Sequence, residues 1–561
     1  MVLARNVYQA LEDIVGLENI SEEPVDMDSY TLNWFPEIDY RSSPSKFHFV
    51  RPAAVVLPGS TEEVQSIVKA CNHYQTKYKA FSTGYGSHAF PGQEGVVMVD
   101  LRRMNRILEI DAKNKYAVVE PYVSWMQLQA EIYKVGLATT QIQAGSQASV
   151  LANVTSCFGM NILGTQGGYN SRNALGIEWV LPTGELLKLG PPDSWFTSDG
   201  PGPSLRGVVR GNSGALGSLG IFTKCAIKLH DWPGPTRLET EISDPPISYF
   251  MPYRLKMEGL ELCKGYIPVF PHWENIIDFL YKVVDSEIAY ALFAIGGLER
   301  ISGMGGLGGK QGYDFIQSMK GMVEPLQDQF KYPVILMMFA QTQKELSWKQ
   351  MVLEEILTET GGSILPILEE LKIGEFSLSE IADPFLSLFI FGNDTHIVHG
   401  MGGSFLITAG YGGTCEAVNR YQYPTGEMLK EKYTTRGKRL LNDGSNTLYF
   451  NVFDNAPYAY SEIEFHYDPA DPESSKAAME IIEAERKNKL GEKYGFEHSD
   501  ITLALYSPSA DFTWETRVKK LGELSSSFHV WQERIKRALD PNDICDRSNY
   551  GVGMLGKELK V

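Results

Sequence analysis

The feature that most constrains this chain is a short strand that runs straight into a glycine-rich turn. Residues 80–82 read as the strand, and Thr83-Gly84-Tyr85-Gly86-Ser87-His88-Ala89-Phe90-Pro91-Gly92 follows at once. Glycines let a backbone approach a ligand closely, and successive backbone amides form a nest for anionic oxygens without needing a lysine. A pyrophosphate suits such a turn, although a three-glycine turn also serves simply to reverse a chain. Here the turn has company. Two further tracts of small residues span 144–173 and 210–220, and each leads into a strand, at 177–181 and 221–229.

The text between the tracts alternates strand and helix. Strand 53–56 ends at Pro58-Gly59, and Ser60-Thr61-Glu62-Glu63 forms a capping box in which Ser60 and Glu63 satisfy the free amides of a helix start. Val64, Ile67, Val68 and Cys71 then recur at helical spacing. Strands follow at 96–100, 107–110 and 117–120, and an amphipathic helix at 125–133. Pro182-Thr183-Gly184 joins 177–181 to 185–187 as a hairpin, and Pro233-Gly234-Pro235 marks a domain border. From about 245 the texture becomes strand-then-helix units at 266–284, 334–360 and 405–441, which predict an α+β domain with an antiparallel sheet. The glycine-rich stretch 302–312 is no Walker motif, since Lys310 is followed by Gln311; it reads as a surface loop or a lid. A last helix covers 528–539 and ends at Asp540-Pro541.

Totals narrow the class. A chain of 561 residues holds two large domains or three smaller ones. A net charge of −18 opposes nucleic acid and anionic membrane as natural partners. The cysteines lie far apart, with no C-x-x-C pair and no zinc or iron–sulfur spacing, which fits a reducing compartment. The first residues lack a signal peptide's basic start and apolar run; Val7, Leu11 and Ile14 predict an amphipathic helix instead. The most apolar run, 385–391, is too short to cross a bilayer. The expected location is cytoplasmic, without membrane insertion.

Taken in order, RPAAVVLPGSTEEVQSIVKACN, STGYGSHAFPGQEGVVMVDLRRMNRILEID, VLANVTSCFGMNILGTQGGYNSRNALGIEWVLPTGELLKLG, RGNSGALGSLGIFTKCAIKLH and, near the end, IKRALDPNDI carry a resemblance. The chain resembles the vanillyl-alcohol oxidase / p-cresol methylhydroxylase-type FAD-binding superfamily, which includes glycolate oxidase and D-lactate dehydrogenase flavin subunits. The resemblance implies an α+β fold: a two-lobed FAD-binding domain, residues 1–240 with 505–561, and an α+β cap domain with an antiparallel sheet, residues 241–504. It implies FAD as cofactor. Ser82, Thr83, Gly84, Tyr85, Gly86, Ser87 and His88 would cradle its pyrophosphate. Ser146, Ser149, Asn153, Gly159 and Asn170 would line the flavin, and Gly217, Gly220 and Ile221 would close on it. Some relatives attach flavin to a histidine in a setting like that of His88; covalent attachment and a hydrogen bond to phosphate or backbone both stay open. A cap attachment is not expected, because Glu464 stands where the histidine would be.

The substrate side departs more from the family. Tyr85 matches the tyrosine of the vanillyl-alcohol oxidase G-Y-G loop, whereas Ala144 stands where those enzymes place an acidic residue. His396, His399, Glu497 and His498 resemble the metal motif of the hydroxy-acid relatives without its neighbouring residues, and no metal is expected. From Ser461 the alternation puts Glu462, Glu464 and His466 on one strand face and Ile463, Phe465 and Tyr467 on the other. Glu464 and His466 are the preferred acid/base candidates, with Tyr458 and Tyr506 behind them; a solvated strand face is the bland alternative. Arg547 is expected to face cofactor or substrate, where the family usually ends in Pro-Gly-Lys.

The activity implied is FAD-dependent removal of a hydride from a small alcohol, hydroxy acid or benzylic/phenolic substrate. The alternative is a non-catalytic or electron-relay flavin subunit of a dehydrogenase complex. Expected partners are a small-molecule substrate and an electron-acceptor protein; homo-oligomerisation stays open.

Overall fold

The computed structural model describes residues 3–31, 50–84, 89–139, 146–156, 164–168, 170–190, 203–209, 215, 217–242, 253–256, 258–294, 332–364, 372–373, 376–377, 406–417, 420, 422–435, 439–440, 448–455, 458–468, 471–486, 527–547 and 553–554. Strands β1 (Ile20–Ser21), β2 (Ala54–Val56), β3 (Tyr78–Phe81) and β4 (Val97–Asp100) form a sheet in the order β1-β2-β4-β3. In it β2 and β3 both run parallel to β4. Their C-terminal ends therefore share one edge, where open sheets with parallel strands gather ligands. The helices Arg5–Val15 and Thr61–Tyr74 cover this sheet through Val7, Leu11, Val64, Ile67 and Cys71. The helix start differs from a strict capping box. Ser60 Oγ accepts the Glu63 amide at 3.2 Å, but the Glu63 carboxylate reaches the amide of Gly59, at 2.8 Å, one residue early. Gly59 has no Cβ, and the Arg103 guanidinium fills that space.

The second lobe is a five-stranded sheet, β5-β6-β10-β8-β9, from β5 (Ile107–Asp111), β6 (Tyr116–Val119), β8 (Ala174–Val180), β9 (Leu186–Leu189) and β10 (Ile221–Lys228). Every pairing in it is antiparallel. Trp125, Leu128, Ile132, Val150 and Val154, from the helices Trp125–Ile132 and Val150–Thr155, pack on one face. Glu178 on β8 joins the two lobes. Its buried carboxylate accepts from Thr61 Oγ1 at 2.8 Å, Thr223 Oγ1 at 2.9 Å and Lys224 Nζ at 3.0 Å. Burial pushes this acid up, but the Thr61 and Lys224 bonds outweigh it and hold it below the usual carboxylate range.

Gly220, at the entry to β10, has φ +105°, and a Cβ there would stand 2.4 Å from the Val180 carbonyl oxygen and 2.8 Å from Trp179 Nε1. Gly220→Ala is expected to cost about 3 kcal/mol, combining backbone strain with a contact that backbone cannot yield. Urea unfolding of the purified variant measures it; an unchanged midpoint would show that β10 can shift.

The third sheet has eight strands. Between it and the lobes lie a two-stranded pair, β7 (Leu137–Ala138) with β11 (His230–Asp231), and another, β12 (Thr240–Ile242) with β13 (Tyr253–Leu255). The sheet comprises β14 (Cys263–Tyr266), β15 (Pro268–Phe270), β16 (Ala291–Ala294), β17 (Tyr332–Phe339), β18 (Ser363–Ile364), β21 (Leu406–Gly413), β22 (Leu448–Phe453) and β23 (Tyr458–His466). The small pair β19 (Lys372–Ile373) and β20 (Phe376–Ser377) stands apart. The order of the eight-stranded sheet is β18-β15-β17-β16-β22-β23-β21, with β14 also on β17, and it is antiparallel throughout. The helices Trp273–Ser286, Gln343–Thr360, Tyr423–Lys430 and Pro472–Arg486 bury one face of it through Leu280, Leu353, Leu429 and Ala477. Ile463, Phe465 and Tyr467 lie in that core, as the alternation predicts.

Trp232 joins the lobes to this sheet. Its ring lies 4.4 Å from that of Tyr133 on one side and 5.1 Å from that of Phe339 on the other. Among the described residues the cysteines Cys71, Cys225, Cys263, Cys415 and Cys545 are buried and unpaired by disulfides.

Candidate functional site

Ser82, Thr83 and Gly84 follow β3 directly, at the edge where the parallel strands end. Gly84 has φ +72°, and a Cβ there would meet the Phe81 ring at 2.7 Å, so this bend needs glycine. Thr83 Oγ1 accepts the Ser149 amide at 3.0 Å, which binds the first tract to the second. The Ser149 hydroxyl is itself engaged: it donates to Pro121 O at 2.5 Å and accepts the Ala152 amide at 3.0 Å, capping the helix Val150–Thr155. Asn153 lies buried on that helix. The Ala215 amide donates to Thr155 O at 3.0 Å, which joins the third tract to the second. Gly217, at φ +72°, packs against the Lys79 side chain, whose Nζ a Cβ there would meet at 2.9 Å.

The three tracts thus meet, and one observation fits a flavin dinucleotide there. Ser146 Oγ is fully buried with no hydrogen-bond partner among the described residues, a cost that a ligand heteroatom would relieve. Two candidates have a second reading: Gly220 answers to the packing of β8, and Ile221 is buried in the core of the first lobe. Asn170 opens a short turn, Asn170–Asn173, within the second tract.

The cap strand β23 carries the acid/base candidates at alternate positions. Glu464 pairs with Thr408, His466 with Leu406, and Tyr458 with Phe453. The pleat puts Tyr460 on the same face as Glu462, Glu464 and His466, opposite the helix-covered core. Tyr460 is fully buried there, paired with the equally buried Asn451. The second tract lies against this part of the sheet: the turn Gly164–Gly167 contacts β22 and β16, and the Asn455 amide donates to Thr165 O at 2.9 Å. Arg172 pairs with Asp454, and a Cβ on Gly168 would collide with that Asp454 carboxylate. The structure thereby brings the flavin tracts and the cap sheet together. Arg547 is partly buried just after the C-terminal segment that runs beside β3. Tyr85, Gly86, Ser87, His88, Gly159, Tyr506, His396, His399, Glu497, His498 and the 302–312 stretch lie outside the described residues.

Sequence reasoning missed the C-terminal clamp. Lys536 Nζ, fully buried, donates to Ser218 O at 2.7 Å, Asp540 Oδ2 at 2.6 Å and Cys545 O at 3.3 Å. Asp546 accepts from the Gly92 amide at 2.7 Å and from Gln93 Nε2 at 3.2 Å, while its own amide donates to Tyr78 O. The signal in the sequence was the Lys536/Asp540 spacing of four on the last helix.

A cavity of about 430 Å³ opens elsewhere, between β11 and the cap, lined by Lys115, Lys228, His230, Glu287 and Lys349 among others. None of the candidate flavin residues lines it. His230 Nε2 is buried there without a hydrogen-bond partner among the described residues. Burial, with Lys228 adding to it, lowers this imidazole from 6.5 to about 4, against the opposing pull of Asp231. The unfolded chain therefore binds the extra proton between those two values, and stability falls as pH drops through that window, by roughly 3 kcal/mol in all. His230→Gln is expected to flatten this part of the stability–pH curve. Equal slopes in both proteins would show that the folded imidazole takes up its proton freely.

A glycine-loop sheet, a second antiparallel lobe and a third, larger sheet in contact with the second tract make up the architecture. Residues 52–190 match a family described as FAD binding domain. Over 182 residues the chain is 32% identical to an uncharacterised FAD-linked oxidoreductase of Mycobacterium tuberculosis, across 32% of this chain and 38% of that one. It is 30% identical to the flavoprotein subunit of 4-cresol dehydrogenase (hydroxylating) of Pseudomonas putida, across 30% of this chain and 34% of that one. The chain thus spans well under half the length of these curated relatives. Its fold is shared more widely. The 4-ethylphenol oxidase of Gulosibacter chungangensis superposes with a TM-score of 0.70 at 19% identity, covering 98% of both chains. A p-cresol methylhydroxylase structure does so at 0.66 and 20%, again over 98% of both. The chain therefore shares the fold of these two structures, and its residues 52–190 carry an FAD binding domain. Among the described residues no helix is long and apolar enough to cross a membrane, and no side-chain cluster could hold a metal ion.

Proposed function

We propose that this protein is an FAD-dependent oxidase or dehydrogenase that oxidises a small alcohol, hydroxy acid or benzylic substrate. The observation that carries the reading is the meeting of three glycine tracts, the second of which contacts strands β16 and β22 of the third sheet. Residues 1–240 with 505–561 hold the cofactor, and 241–504 form the cap. Ser82 to His88 bind the diphosphate through backbone amides, and Ser146, Asn153, Gly159 and Asn170 follow the flavin. Bound FAD supplies the acceptor for a hydride from the substrate carbon. Glu464 or His466 takes the substrate proton, Tyr85, Tyr458 and Tyr506 orient the substrate, and Arg547 holds its anionic group. The buried cap face excludes water. The relatives' names point to two substrate groups to try first: alkylphenols, from 4-cresol and 4-ethylphenol, and hydroxy acids, from D-lactate and glycolate.

The protein is placed in the cytoplasm, and its acidic surface suits a basic electron-acceptor protein. The test is a visible spectrum of the purified protein, repeated on supernatant and pellet after acid precipitation, followed by anaerobic addition of each substrate. Flavin bands that bleach with one substrate class support the reading, and colour retained in the pellet locates a covalent bond to be tested with His88→Ala. Bleaching only when a partner chain is added would favour a relay subunit. A colourless protein that takes up no added FAD would sink the reading.

A further inference from the structure

Four side chains beneath the glycine tracts are charged and almost wholly enclosed. Lys79 and Asp546 are each 1% exposed, Lys536 0% and Asp540 1%. Two cations and two carboxylates make the group neutral as a whole, so it exerts little net pull on a diphosphate. Enclosing charge is costly unless each member is paired, so such a group persists where it fixes one chain arrangement. What it fixes here is the last segment of the chain. The Tyr78 amide donates to Ile544 O at 3.1 Å and the Asp546 amide to Tyr78 O at 2.8 Å, so residues 544–546 run parallel to β3 like an added strand. From that position Asp546 holds Gly92 and Gln93, at the end of the first tract. Lys536 holds Ser218, in the third. Lys79 lies between them: it stands on β3 just before the first tract, its amine lies against Gly217 of the third, and Asp546 is its main electrostatic support. Burial alone would pull the Lys79 amine down further than the value of about 8 at which Asp546 and Cys545 help to hold it.

We infer that Lys79 is a positioning residue that couples docking of the C-terminal segment, residues 540–547, to occupancy of the flavin site, so that the docked segment latches the tracts in their cofactor-binding arrangement. This rests on the FAD reading above. Since the coupling is reciprocal, cofactor must protect the segment by the same factor by which the docked segment tightens cofactor binding. A side chain that only stabilised the fold would act equally with and without cofactor.

The experiment compares amide hydrogen exchange, read by mass spectrometry, in apoprotein from flavin-deprived cells and in the same protein loaded with FAD. This readout serves whether the flavin is covalent or not. In the wild-type chain FAD is expected to slow exchange across 541–547 by roughly tenfold or more. Lys79→Met is expected to abolish that increment while Lys79→Arg retains part of it. Asp546→Asn, which leaves the lysine in place, should also abolish it and provides the answer if Lys79→Met does not fold. Equal exchange with and without FAD in the wild type, or an undiminished increment in Lys79→Met or Asp546→Asn, would overturn the latch. A wild-type chain that takes up no FAD would instead overturn the reading on which the latch rests.

Discussion

Glu464→Gln is expected to slow substrate-driven flavin bleaching by about 100- to 10,000-fold, the usual contribution of a positioned general base. The flavin spectrum of the resting protein should not change. The expectation comes from register: on β23, Glu464 occupies the face shared with Tyr460 and opposite the helix-packed Ile463 and Phe465. Tyr460 is fully buried, and the second glycine tract contacts the adjacent strand β22. Stopped-flow bleaching under anaerobic conditions measures the step directly, across pH. If Glu464 is the base, the variant also loses the acidic limb of the pH–rate profile. A full rate with an unaltered profile would remove Glu464 and pass the role to His466, two residues along the same face, for which His466→Gln is the matching test.

Much of the framework was legible because periodicity reports burial. Val64, Ile67, Val68 and Cys71 form the inward stripe of one helix, and Ile463, Phe465 and Tyr467 the inward face of one strand. The hairpin at Pro182-Thr183-Gly184 closes as its turn residues require, with the Leu181 amide on Glu185 O at 2.9 Å. Of the candidate site, the meeting of the tracts was legible as a resemblance in order, but the role of each residue was not. Ser149 reads as a flavin contact, and its hydroxyl is also a helix cap; Ile221 reads as closing on the flavin, and its side chain is also part of the core. A small polar residue beside a ligand and one that ends a helix look alike in sequence, because both need a short side chain with an oxygen. Lys79 was illegible for another reason. Lys79 falls just before the strand read at 80–82, and Asp546, whose charge supports its amine, lies at the far end of the chain. The spacing of Lys536 and Asp540 was visible, yet Glu533 and Arg537 share that spacing on the same helix with the arginine at the surface.

That comparison sets the scale for the second large effect. Lys536→Met is expected to lower stability by about 3–5 kcal/mol, the cost of leaving a buried charge without its partner. The Lys115–Asp231 pair has the same 2.6 Å separation, but its side chains are 47% and 73% exposed. Solvent screens such a pair, and Lys115→Met should cost no more than about 1 kcal/mol. Distance is equal in the two cases, so burial decides. Lys536 also donates to two carbonyls, Ser218 O and Cys545 O, which would lose a charged donor in the variant. Asp540 would keep the amides of Ile544 and Cys545, at 2.8 and 3.0 Å, but these do not neutralise it. Adding Asp540→Asn to Lys536→Met removes the stranded charge, so the double variant is expected to recover part of the loss, and the shortfall from additivity measures the pair. Urea unfolding of the four proteins in that cycle, followed by tryptophan fluorescence, decides the matter. Additive losses would mean that Lys536 acts through Ser218 and Cys545 alone and that the Asp540 carboxylate finds water once the lysine is gone.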